Sequence, residues 1–392
     1  MTSEPFEKKA IVSGIGISRI GRRTGIPGID LTVEACKAAI DDAGLAPADV
    51  DGVATIGETP LAEATTALGI PLPDYRGGGF DTAGLLSPVM SAFRAVAEGR
   101  ARHVLVYRTV QMMGGTITAP PTGATSSPAN ADPSGMISVM GDMGPLLASH
   151  AYSAANWLAM HCQRHMHLYG TTKEQLGWLA IQSRRHAALN ERAAYRDPFT
   201  MDDYLAARTI STPFGLLDCD VPVDGSIAVV VSHADYARDC RNPPIRVEAI
   251  GGADEHVGWV DRPDYPRMAS TEAAAQMWGR TRLEPADIDI AELYDGFTFL
   301  TFAWLEALGL CGEGEAGSFV EGGERIALDG SLPLNTYGGQ LSAGRMHGYW
   351  VLHEACVQLR GEGGKRQVPG SPGVAVVSAG GGPIAGCMLL TR

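Results

Sequence analysis

Leu45-Ala-Pro-Ala-Asp-Val-Asp51 returns in the second half of the chain as Leu283-Glu-Pro-Ala-Asp-Ile-Asp289. Leu, Pro, Ala and both Asp are kept, and Val is answered by Ile. Each copy follows a helical pattern and leads into an apolar run. Ile11–Gly16 and Val247–Gly252, apolar runs ending in glycine, stand at nearly the same offset. Two matches at one offset favour a duplicated βα unit over chance. They put the boundary near Arg241-Asn-Pro-Pro244 and the halves at residues 1–240 and 241–392.

Working outward, the first half alternates strand and helix: Lys9–Ser18, Thr32–Ala43, Val50–Ile56, Leu85–Glu98 and His103–Tyr107. That alternation predicts a parallel sheet with right-handed crossovers. Gln111–Pro145 breaks the rhythm with Gly, Pro, Thr and Ser and reads as an excursion loop. Helical patterns follow at Ala148–Leu168 and Lys173–Leu189, so residues 110–210 form an inserted helical lid. Ile227–Ser232 returns to a buried strand, and Val374–Ser378 and Cys387–Thr391 flank Gly380-Gly-Gly-Pro383. Gly14-Ile-Gly16 lacks the full G-x-G-x-x-G spacing and predicts a structural turn, not a dinucleotide site.

A chain of 392 residues exceeds one ordinary core, which fits two similar halves. The net charge of −13 argues against nucleic acid and anionic membrane as partners. No apolar run reaches transmembrane length, and Met1–Lys9 has no apolar signal core, so the expected location is cytoplasmic. Seven cysteines without a C-x-x-C pair suggest neither a disulfide framework nor a structural zinc. His161, Cys162, His165 and His167 lack an H-E-x-x-H pattern and a further ligand; they read as a polar helix face, with no metal expected.

Chemistry concentrates in Asn335-Thr-Tyr-Gly-Gly-Gln-Leu-Ser-Ala-Gly-Arg-Met-His-Gly348, with four glycines in fourteen residues before the helical run Tyr349–Leu359. Such a turn aims free N–H groups at an anion or a carbonyl. Arg345 and His347 add groups able to hold or move charge, although a tight turn with solvated side chains has the same pattern. His347 titrates near neutrality and suits a general acid or an oxyanion donor. Tyr294 precedes Asp-Gly-Phe at a strand end, where α/β proteins put their chemistry. A phenol titrates near 10, so acting as a base at neutral pH requires a positive neighbour such as Arg345.

The duplication, the helical insertion, Gly-Gly-Gln-Leu-Ser-Ala-Gly-Arg-Met-His-Gly348 and Ser378-Ala-Gly-Gly-Gly-Pro383 together resemble the thiolase superfamily. Within it, His165–Ser232 is similar to the sterol-carrier, lipid-transfer branch, through MHLYGTTKEQLGWLAIQSRRHAALN and LLDCDVPVDGSIAVVVS. The resemblance implies a five-layer αβαβα sandwich of two pseudo-repeats with an inserted helical loop domain, assembled as a homodimer. The family's nucleophilic cysteine is missing from Gly77-Gly-Gly-Phe-Asp-Thr-Ala-Gly84, and no cysteine lies between Cys36 and Cys162. Gly344-Arg345-Met346 stands for Gly-His-Pro, Tyr294 for the Asn or His opening its motif, and Ser378 for the cysteine before the last glycine run. A covalent cysteine route is therefore not expected.

This replacement pattern is similar to that of the side-chain aldolases of steroid degradation, which use tyrosines and work with a small zinc-ribbon and OB-fold partner subunit. Tyr294 matches their first tyrosine, whereas Arg345 stands where the second is expected. The implied activity is a carbon–carbon lyase: retro-aldol cleavage of a bulky β-hydroxyacyl-CoA, with the coenzyme A thioester as substrate and no permanently bound cofactor. The implied roles are Tyr294 as base with Arg345 lowering its pKa, and His347 as acid. Gly380, Gly381, Gly382, Ser378, Asp295 and Gly344 would line the oxyanion and substrate site. Two other readings stay open, a non-catalytic acyl-CoA or lipid-binding subunit and a non-cysteine acyltransferase.

Overall fold

The structure, a computed structural model, describes residues 5–56, 58–79, 83–113, 143–253 and 258–392. Much of the excursion loop and the Phe80-Asp-Thr82 part of the missing-cysteine turn lie outside these residues. The strands in chain order are β1 (Ala10–Ile17), β2 (Gly52–Thr55), β3 (Tyr75–Gly77), β4 (His103–Gln111), β5 (Thr209–Ser211), β6 (Phe214–Gly215), β7 (Asp224–His233), β8 (Ile245–Gly252), β9 (Ile290–Glu292), β10 (Val374–Gly381) and β11 (Ile384–Thr391). The helices are α1 (Gly28–Ala43), α2 (Leu61–Leu68), α3 (Ser87–Ala97), α4 (Gly144–Ala148), α5 (Ala154–Tyr169), α6 (Lys173–Ala188), α7 (Met201–Ala206), α8 (Ala269–Trp278), α9 (Thr298–Ala307), α10 (Ala316–Val320) and α11 (Tyr349–Arg360).

Nine strands form one sheet in the order β3-β2-β4-β7-β1-β8-β11-β10-β9, with β5 and β6 a separate hairpin. The sheet narrows at its middle, where β1 meets β8 only through Ile11–Arg246 and Val12–Ile245. On either side the pairing repeats. β2 runs parallel to β4, and β7 is antiparallel to both β4 and β1. Likewise β9 runs parallel to β10, and β11 is antiparallel to both β10 and β8. The expected all-parallel sheet is thus corrected to a mixed one. β11 follows β10 through a two-residue loop, a connection that can only join antiparallel strands. β7 occupies the matching place after the insertion and runs the same way relative to its neighbours.

Helices occupy three layers around the two half-sheets. α1 packs on β1, β7 and β4, with α2 beside it; α3 and α11 lie between the half-sheets; α8 and α9 cover β8, β11 and β10 from outside. The resulting order is α/β/α/β/α. All twelve residues of α11 are buried, as a helix enclosed on both faces requires. Its charged members are paired, Glu354 with Arg366 at 2.8 and 2.9 Å and Arg360 with Asp42 at 2.7 Å.

The repeated motif folds the same way twice. Pro47–Asp49 and Pro285–Asp287 each make one tight helical turn, closed by Asp49 Oδ2 accepting from Ala46 N–H and Asp287 Oδ2 from Glu284 N–H, both at 2.8 Å. The last aspartate of each copy then accepts from backbone N–H groups where the parallel neighbouring strand, β4 or β10, begins, at Arg102 and His103 for Asp51 and at Gly373 and Val374 for Asp289. Gly14 and Gly16 lie inside β1 and not in the turn their spacing predicts. A Cβ at Gly14 would stand 2.2 Å from the Ala39 carbonyl, and one at Gly251 would stand 1.9 Å from that of Ala273. In both halves glycine therefore lets the first helix lie directly on its strand.

Candidate active site

The end of β9 projects Tyr294 into the interior, where it is 8% exposed. Two side chains fix this strand end. Asn335 Oδ1 accepts from Leu293 N–H at 2.7 Å, and Ser378 Oγ accepts from Tyr294 N–H at 3.0 Å. Ser378 thus ties β10 to the Tyr294 backbone, a positioning task with no nucleophilic element. Asp295 joins the strand end to the glycine-rich turn, accepting from Gln340 N–H at 2.8 Å and Leu341 N–H at 3.4 Å. A Cβ at Gly339 would stand 1.9 Å from Asp295 Oδ2, so that close approach requires glycine. Gly344, at φ +140°, brings the chain against Val223.

Cys219–Val221 clamps the two motifs together. Asp220 N–H donates to Gly296 O at 3.1 Å, Val221 N–H to Gln340 O at 2.9 Å, and Arg345 N–H to Val221 O at 2.8 Å. The Arg345 guanidinium lies between Asp220, 3.4 Å away, and Met112, whose Sδ is 2.9 Å from Nη2. α6 packs along the outside of the turn, with Arg184 Nε donating to Ser342 Oγ at 2.8 Å. The insertion therefore supports the turn that carries Arg345.

His347 sits on the same turn at φ +52°, left-handed backbone that favours glycine. Its N–H donates to Gln340 Oε1 at 3.1 Å, and its Nδ1 is 2.7 Å from Nη2 of Arg108, a buried residue of β4. Burial, Arg108 and Arg345 all push its pKa well below the usual histidine range. That direction favours the neutral imidazole, which of the two roles read from sequence, general acid and oxyanion donor, suits the second better.

Arg345 acts on Tyr294 in the expected direction but does not win. Burial raises the phenol above its ordinary value, and Asp220 and Asp295 add to the rise; Arg345 and the Gln340 side chain pull it down. The physical reason is first burial, which disfavours the phenolate most, and then Asp220, whose charge opposes that of the guanidinium. Burial also raises Asp220 to about 6 and Asp295 to about 7, against the pull of Arg345 on the first and of the turn N–H groups on the second. Two carboxyl groups titrating near neutrality and a protonated phenol thus share one enclosed site.

Gly380, Gly381 and Gly382 take φ of +85°, +146° and +70° to turn β10 into β11. Their placement follows from that hairpin: the carbonyl of Gly380 accepts from Trp304 Nε1 at 3.0 Å and that of Gly382 from Ala269 N–H at 2.8 Å. Each of the seven cysteine thiols is raised in pKa, in every case chiefly by burial, the opposite of what a nucleophile needs. His161 spends both ring nitrogens on the carbonyls of Pro266 and Trp259, while His165 bridges Thr171 and Glu306. Among the described residues no group of three or more His, Cys, Asp or Glu is arranged to hold a metal.

Sequence reasoning missed Arg108, Asp220 and Gln340. Arg108 had a visible signal, a single cation inside the apolar run His103-Val-Leu-Val-Tyr-Arg-Thr-Val110. Asp220 closes Leu216-Leu-Asp-Cys-Asp220, where nothing local marks it as the counter-charge of Arg345.

Residues 251–390 match the family described as Thiolase C-terminal domain-like. Over 97% of this chain and 99% of that protein, the sequence is 34% identical to the 17-hydroxy-3-oxo-4-pregnene-20-carboxyl-CoA lyase of Mycobacterium tuberculosis. It is 33% identical to the steroid side-chain-cleaving aldolase of Thermomonospora curvata, over 97% of each. Among solved structures it is similar to the Ltp2-ChsH2(DUF35) aldolase, with a TM-score of 0.87 and 31% identity over 99% of this chain and 98% of that one.

Proposed function

The chain belongs to the thiolase-like steroid side-chain-cleaving aldolases, and from that premise we propose that Tyr294, Arg345 and His347 are its working residues. It is a carbon–carbon lyase acting on a CoA-linked substrate by retro-aldol cleavage. The β-hydroxyl loses its proton and becomes a carbonyl. The Cα–Cβ bond breaks with its electron pair passing into the thioester enolate, which takes a proton at Cα to leave a shorter acyl-CoA. The observation that carries the site assignment is the convergence of a buried phenol, a guanidinium and an imidazole on one glycine-rich turn, with every thiol held in its unreactive form.

Tyr294 transfers the β-hydroxyl proton. Because burial raises its pKa, its phenolate is scarce but strongly basic, and Arg345 makes it less scarce. Gly380–Gly382, Ser378, Asp295 and Gly344 shape the walls, and a glycine N–H of the β10–β11 turn receives the thioester oxygen. The substrate's acyl group is bulky and steroid-like. We take the halves as residues 1–240 and 241–392, the working residues lying in the second and Arg108, Met112 and Asp220 meeting them from the first.

A partner subunit belongs to the same reading, since the similar Ltp2-ChsH2(DUF35) aldolase pairs two different chains. We extend this to a small zinc-ribbon and OB-fold subunit bound to a homodimer of this chain in the cytoplasm. Among the described residues no helix is long and apolar enough to cross a membrane.

Mixing the protein, with and without such a subunit, with a steroid-side-chain β-hydroxyacyl-CoA tests the reading. Mass spectrometry should find a ketone and a shortened acyl-CoA in equal amounts. Tight binding without any product, with the subunit present, would replace the lyase by an acyl-CoA-binding role.

A further inference from the structure

We propose that Arg108 is a positioning residue that fixes His347 as the neutral Nε2–H tautomer, so that His347 serves the reaction as an uncharged hydrogen-bond donor. The inference rests on the lyase reading above for what the donor acts on, and on the structure alone for the tautomer.

The geometry begins at Arg108. Its guanidinium is a donor only and stays protonated in proteins. Nη1 donates to the carbonyl of Ile56, which fixes the plane, and Nη2 then lies 2.7 Å from His347 Nδ1. A donor at that distance requires a lone pair on Nδ1. The ring proton must therefore sit on Nε2, which has no hydrogen-bond partner among the described residues. A second proton on Nδ1 would set an N–H against an N–H and a cation against a cation. The other charged group acting on the ring, Arg345 from the same turn, opposes protonation as well. The carboxylates that act on these two cations are engaged away from the ring, Glu58 accepting from the Gln111 N–H and Asp220 pairing with Arg345.

Two costs mark the arrangement as retained for more than packing. Arg108 is 4% exposed, and its Nε is buried without a partner among the described residues. His347 holds left-handed backbone that a glycine would adopt with less strain. A thioester enolate gains from a donor fixed before the charge develops, and a neutral N–H supplies it without a proton that could be lost on binding.

Nitrogen-15 NMR of the histidine-labelled full chain reads the tautomer without reference to activity, the His347 signals being those lost in His347→Gln. The expected result is an Nε2–H neutral ring with no titration between pH 5 and 8. In Arg108→Met the ring should become a tautomer mixture whose pKa rises from its wild-type position, burial and Arg345 still holding it below the ordinary histidine value, while Arg108→Lys should restore much of the wild-type pattern. An ordinary titration in wild type, or an unchanged tautomer in Arg108→Met, overturns the proposal. In turnover assays with the partner subunit, His347→Gly should lower kcat roughly 10²–10³-fold with little change in KM. His347→Gln, which keeps an N–H, should recover about tenfold of that loss, whereas a proton-donating acid would not be rescued by an amide. Full activity of His347→Gly overturns the catalytic half. If wild type shows no turnover at all, the lyase reading fails and takes the donor role with it, while the NMR arm still decides the Arg108–His347 pairing.

Discussion

The guanidinium of Arg345 lies 3.4 Å from the carboxylate of Asp220, and this pair adjusts, in opposite directions, a Tyr294 pKa that burial has raised. Arg345 lowers the phenol's pKa and Asp220 raises it, so the two act on one proton with opposite signs.

From this follows a pair of opposed pH shifts. In Asp220→Asn the anion is gone and the guanidinium acts unopposed, so the phenol's pKa falls and the ascending limb of the pH–rate profile moves to lower pH. In Arg345→Leu the cation is gone, and the limb moves to higher pH. Asp220 itself titrates at about 6, so wild type and Asp220→Asn should converge as the pH falls below that value. Rates measured from pH 5 to 10 for the three proteins check the signs. Shifts in the same direction would show that the pair does not control the phenol.

Thiol chemistry should be dispensable. Every cysteine is raised by burial, Cys219 within the clamp to about 12, so iodoacetamide at neutral pH should leave the folded enzyme active. Alkylation that abolishes cleavage with a single modified cysteine, located by mass spectrometry, would contradict this.

How much of this was legible beforehand depended on the range of the interactions. The repeat was readable because Asp49 and Asp287 close turns within three residues of their own position. The strand directions were not, since β7 takes its direction from where the chain returns after a long excursion and not from its own composition. Tyr294 and Arg345 stood out by motif. Their energetics did not, because the phenol is raised first by burial and then by Asp220, which lies in a distant loop segment. Arg108 meets a residue 239 positions away, a separation no local pattern encodes.

Gly339→Ala should damage the site through its backbone. The added Cβ would meet Asp295 Oδ2 at 1.9 Å, at a residue whose φ of +63° already disfavours a side chain. Left-handed strain of this kind costs on the order of 1–3 kcal/mol. The turn must then release Asp295, and Gln340 and Leu341 lose their acceptor. A lower melting temperature together with a fall in kcat is expected. Unchanged values of both would mean that the turn does not depend on this contact.

Tyr294→Phe separates chemistry from architecture. The fold holds Tyr294 by its backbone, through the N–H bond to Ser378 and the pairing of β9 with β10, and neither uses the phenol oxygen. Phenylalanine keeps the ring and its packing, so the variant should melt close to wild type and bind acyl-CoA with similar affinity. Removing a proton-transfer group costs about a hundred- to ten-thousand-fold in rate. The predicted signature is therefore a collapse of kcat with KM and stability nearly intact, and loss of the pH shift that Asp220→Asn produces in the presence of the phenol. That last term is the sharper one. If Asp220→Asn still moves the residual profile in a Tyr294→Phe background, the carboxylate acts on some other proton. If Tyr294→Phe turns over at the wild-type rate, the β-hydroxyl proton leaves by another route, and Asp295, titrating at about 7 in the same enclosure, becomes the base to test next.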